Sequence, residues 1–142
     1  MDIKKLDQAL LEIIEKKNQL TRLDYSDETY DTIEEELHDL EDDFIDDYGS
    51  FLEEALHVVH DEYCPDNDVL LPIAYLANKY VEKGKKEDGS PQYAAAPNEG
   101  VIVDVDDFPE KVCRLVFEPS PIRLVMNVDK GKSIEVWKAE SK

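Results

Sequence analysis

Between Arg22 and Lys79 the chain contains no lysine or arginine. Those 56 residues hold 19 aspartates and glutamates. The formal charge of the 142-residue chain is −19, and it is unevenly spread. Residues 1–64 carry 21 acids against 5 bases, whereas residues 65–142 carry 14 against 11. A field of that sign repels phosphate, so contact with nucleic acid or an anionic membrane through a basic patch is disfavoured. A basic protein partner is favoured.

Other shortages narrow the chemistry. Two cysteines, Cys64 and Cys113, make no disulfide framework and suit free thiols in a reducing cytoplasm. The five glycines are scattered and form neither a phosphate-cradling loop nor a dinucleotide fingerprint. There is no Gly-x-Ser-x-Gly, and all three histidines fall between His38 and His60, away from any serine or cysteine spaced for a triad. No apolar run approaches the ~20 residues that span a bilayer. Residues 1–17 are charged throughout, unlike a signal peptide. These absences predict a cytoplasmic, non-enzymatic protein with no cofactor.

What is present begins with helical periodicity. Ile3, Leu6, Leu10, Ile13, Ile14 and Leu20 recur at three- and four-residue steps, predicting a helix that ends near Arg22. Ser26 or Asp27 offers a cap for a second helix. That helix carries Tyr30, Ile33, Leu37, Leu40, Phe44, Tyr48, Phe51, Ala55 and Val58 in a nearly continuous heptad seam. The short link predicts an antiparallel hairpin. Helix one is the shorter, so a second copy is expected to cover the rest of the seam. Gly49-Ser50, with Glu53 three residues after the serine, predicts a kink, and Pro65 ends the helix.

Val69, Ile73, Leu76, Ala77, Tyr80 and Val81 predict a further helix over 69–83, followed by an exposed loop over 84–99. Four β-rich runs, 100–105, 111–117, 122–128 and 133–139, are separated by short turn-forming segments. The expectation is an α+β protein: an acidic hairpin over 1–64, then a helix and a four-stranded antiparallel meander over 65–142, packed as one unit.

Two groups of residues stand out as candidate sites. Asp39, Asp42, Asp43, Asp46 and Asp47 form an acidic face suited to a basic partner, in the manner of an adaptor, an inhibitor or an immunity protein. On a helical wheel with His57 at zero, Glu53, His60, Asp61 and Cys64 fall at about 320°, 300°, 40° and 340°. The pairs His57/Asp61 and His60/Cys64 have the i,i+4 spacing that can chelate an ion such as zinc. Glu-x-x-His occurs twice, at 35–38 and 54–57. Nineteen residues of one helix hold the copies about 28 Å apart, too far to share a site.

A hairpin with an acidic tip ahead of a β-rich unit also resembles the layout of the Gre transcript-cleavage factors. The stretch "DYSDE" (24–28) is similar to their acidic tip, and "SPI" (120–122) to part of their C-terminal domain. The resemblance implies that Asp24, Asp27 and Glu28 would coordinate Mg²⁺ within RNA polymerase. Helix one is, however, far shorter than such a hairpin requires.

Overall fold

The computed structural model describes residues 2–85, 91–95, 98–119, 122–129 and 131–139. Helix α1 spans Ile3–Thr21 and begins at Asp2, whose side chain accepts a hydrogen bond from the Lys5 N–H at 3.1 Å. Its stripe of Leu6, Leu10, Ile13 and Ile14 is buried. Helix α2, Tyr30–Tyr63, is a single 34-residue helix that runs through Gly49 and Ser50 without stopping. Ser50 therefore occupies a helix interior and caps nothing. Asp27 serves the turn ahead of α2: its Oδ1 accepts from the Thr29 N–H and hydroxyl.

The hairpin is antiparallel. Lys16 of α1 pairs with Glu36 near the start of α2. At the far end, the Tyr48 phenol is held above its usual range by burial, then by the charges of Asp47 and Asp2. The beginning of α1 thus lies beside Tyr48, and α2 continues past it for some four turns.

Beyond that point the helix changes partners. Ile33, Leu37 and Phe44 are buried on one side of α2. Leu52, Leu56, Val59 and His60 are buried roughly 100° further around the axis, at 100° per residue. The first group packs in the hairpin; the second enters the core shared with the sheet. Phe51, Ala55 and Val58 continue the original seam beyond the end of α1, and Val58 is 62% exposed.

Strands β3 (Val101–Val103), β4 (Cys113–Glu118), β5 (Arg123–Val128) and β6 (Lys132–Lys138) form the expected antiparallel meander in sequence order. The inward face of the sheet meets the helices through aromatic edges. Trp137 lies 5.9 Å from Phe51 and 6.4 Å from Phe117 between ring centroids. One core contains Leu10 and Ile14 of α1, Phe44 and Leu56 of α2, and Leu115, Phe117 and Leu124 of the sheet.

The stretch 69–83 departs from expectation. It forms only a 3-10 turn, Pro72–Tyr75, and then strand β1, Tyr80–Lys85. The expected loop 84–99 contains strand β2, Pro91–Ala95, which pairs with β1 in a separate ribbon; residues 86–90 and 96–97 lie outside the described residues. Non-local bonds decide this. Asn18 of α1 accepts from the Tyr80 N–H and donates to the Tyr80 carbonyl, both at 3.0 Å. The Tyr80 hydroxyl accepts from the Ala77 N–H at 3.1 Å and donates to the Phe117 carbonyl at 2.6 Å. A helix through Tyr80 would forfeit all four bonds. At the same end of the ribbon, on the paired strand, Ala95 N–H donates to Glu118 Oε2, while Glu118 Oε1 pairs with Arg123 at 2.9 Å.

Candidate functional site

The seam buries one side of α2 and so turns its remaining residues outward. Over 30–63 that helix has fourteen aspartates and glutamates and no lysine or arginine. Asp39, Asp42, Asp43, Asp46 and Asp47 are all exposed, within a sector of about 140° and along ~12 Å of axis. Among the described residues none of the five has an ion-pair partner. Of the four lysines on α1, Lys16 pairs with Glu36, Lys17 is drawn inward, and among the described residues Lys4 and Lys5 form no ion pair with the five. Burial lowers the Lys17 pKa, against the opposing pull of Glu41 and Glu99.

The outward face is therefore an uncompensated stripe. The i,i+4 pairs Asp39/Asp43, Asp42/Asp46 and Asp43/Asp47 each disfavour the helix by a few tenths of a kcal/mol. Burial of Phe44, with about 1.5–3 kcal/mol for a side chain of that size, outweighs them. The fold tolerates the stripe, though no local contact rewards it.

The proposed metal ligands separate. His57 and Asp61 face solvent and Glu53 is half-buried, but His60 and Cys64 turn into the core. His60 is 2% exposed, and both its ring nitrogens have partners. Nδ1 lies 3.1 Å from the Asn67 carbonyl, which can only accept, so Nδ1 carries the proton. Nε2, 2.8 Å from the Tyr75 hydroxyl, then accepts the Tyr75 proton. The same hydroxyl accepts from the Leu70 N–H at 3.1 Å. His60 thus fastens the chain after Pro65 to the end of α2. The expected single polar face fails because the buried side of α2 has turned by the time it reaches His60.

Cys64 and Cys113 are both free thiols in that core. Burial, then the neighbouring Cys113 and Asp104, push the Cys64 thiol up to about 11. Among the described residues no three His, Cys, Asp or Glu side chains gather where they could hold a metal ion. No signal in the linear pattern marked Asn67, whose carbonyl binds His60 and whose Oδ1 accepts from the Asp104 N–H at 2.7 Å.

The hairpin tip exposes Asp24, Asp27 and Glu28, with Tyr25 stacked on Tyr30 at 4.7 Å. Asp27 is already engaged by Thr29, whose backbone N–H and then hydroxyl lower its pKa. Ser120 and Pro121 of the "SPI" stretch lie outside the described residues. No helix among the described residues is long and apolar enough to cross a membrane. No protein-family model, no curated protein and no solved structure matches the chain.

Proposed function

We propose that this protein is a non-enzymatic interaction module that captures a basic protein partner on the outward face of α2. The observation that carries the reading is the stripe itself: five exposed aspartates, none ion-paired among the described residues, on a helix without a single lysine or arginine. Such a face steers a cationic surface into encounter and rejects anionic competitors. An inhibitor of a basic enzyme, an immunity protein and an adaptor would all use it alike. The like charge of two such helices favours capture of a different chain over self-association, and the two free thiols fit a cytoplasmic setting.

The test is association with a labelled lysine-rich peptide, Lys-Lys-Ser-Ser-Lys-Lys, followed by anisotropy at low and high salt. Screening shrinks the Debye length from about 10 Å at 0.1 M to about 3 Å at 1 M. Binding is expected to weaken at least tenfold across that range, and to be lost when the five aspartates are changed to asparagine. Equal affinity at both salts would sink the steering claim.

A further inference from the structure

A groove of about 320 Å³ opens between α2 and the edge strand β6, lined by Phe51, Glu54, Ala55, Val58, Trp137 and Lys138. It exists because α1 is the shorter helix. Phe51, Ala55 and Val58 continue the seam that α1 covers as far as Tyr48, and beyond that level Trp137 covers them only in part. Its volume sits at the lower end of the roughly 300–1,000 Å³ typical of small-molecule sites. That is room for one or two bulky side chains. Val58 is exposed although β-branched and apolar, and the Phe51 and Trp137 rings, set edge to face, form a firm wall.

Charge selects the occupant. The α2 rim is negative, with Glu54 lining the groove, Asp61 three residues past Val58, and no lysine or arginine anywhere on that helix; the one base in the lining, Lys138, stands on the β6 side. A second copy would bring another acidic α2 against this rim, and like charges so placed oppose docking. Building on the proposed capture of a basic partner, we infer that the groove is its specificity pocket, seating a bulky apolar side chain flanked by lysine or arginine in the partner. The aspartate stripe attracts; the groove chooses. Large aromatic residues in such pockets commonly dominate binding energy.

The chain has a single tryptophan, Trp137, so occupancy of the groove can be read from its emission. The probes are the peptides Lys-Lys-Leu-Leu-Lys-Lys and Lys-Lys-Ser-Ser-Lys-Lys, added to the whole protein. The leucine peptide should bind at least fivefold tighter and shift Trp137 emission saturably; the serine peptide should bind without the shift. Val58→Asp and, separately, Glu54→Lys should remove the leucine advantage while leaving serine-peptide binding within about twofold. Both positions are exposed, so neither change disturbs the core. Equal affinity for the two peptides, or an emission shift that survives Val58→Asp, overturns the groove assignment but leaves capture by the stripe standing. If neither peptide binds at low salt, both readings fall.

Discussion

The side-chain amide of Asn18 bonds both the N–H and the carbonyl of Tyr80, 62 residues away in sequence, with two contacts of 3.0 Å. A primary amide presents donor and acceptor side by side, much as a neighbouring strand would. Asn18 therefore completes the outer edge of β1 from a helix, and it does so in a buried setting. Hairpin and ribbon are joined by this clamp.

Asn18→Ala should leave both backbone groups of Tyr80 without partners. Each buried unsatisfied group costs about 1–3 kcal/mol. The urea midpoint should fall accordingly, and amide exchange at Tyr80 should accelerate more than at Phe117. An unchanged midpoint would mean that water replaces the amide at no cost.

His60→Ala and His57→Ala separate a core role from a ligand role. His60→Ala should cost about 2–4 kcal/mol, through lost packing and an orphaned Tyr75 hydroxyl. His57→Ala, on the exposed side, should change stability by less than about 0.5 kcal/mol. Thermal unfolding with chelator and with added zinc checks this. If zinc stabilises the parent and both variants lose that effect equally, the metal reading of the α2 face returns.

The prediction for pH follows from groups that burial keeps protonated. Cys64 has an ordinary value of 9.0 and is raised to about 11; Tyr75 and Tyr80 are raised by burial as well. Between pH 9 and 11 the unfolded chain gives up the Cys64 proton before the folded one does, so the folded state binds more protons and stability falls with rising pH. The urea midpoint should hold steady from pH 7 to 8.5, then decline, and Cys64→Ala should make the decline shallower. Native Cys64 should also react with a thiol reagent at pH 8 far more slowly than the denatured chain. A flat midpoint through pH 11 would contradict the assignment.

Gly100 and Gly84 both have positive φ, at 106° and 132°. At Gly100 a Cβ would also lie 2.5 Å from the Leu115 carbonyl oxygen, whereas at Gly84 nothing lies within 4 Å. Gly100→Ala should therefore destabilise by more than Gly84→Ala, about 2–3 kcal/mol against about 1 kcal/mol. Equal losses would show that β4 gives way at little cost.

The elements legible in the sequence are those held by their own periodicity. The α1 stripe, the α2 seam as far as Tyr48 and the four meander runs each repeat a local pattern that survives in the fold. The stretch 69–83 did not read correctly because its decisive partners are distant: Asn18 for Tyr80, His60 for Tyr75. Apolar spacing there fits a helix, and no local signal reports an amide waiting on α1. The exposure of the five aspartates was legible because charged side chains stay in water wherever the seam leaves them. The His57–Cys64 face was not, because a wheel assumes a fixed buried side.

The end of the stripe, as well as its charge, limits what a partner can recognise. A rigid rod laid parallel to α2 would meet the five aspartates for only about 12 Å, from Asp39 to Asp47. Val58 stands eleven residues past Asp47, about 16 Å further along the axis and within ~20° of the same azimuth. A ligand that touches both must therefore be extended, with an apolar foot set about three turns from its charged arm. Spacing as well as charge discriminates among cationic proteins.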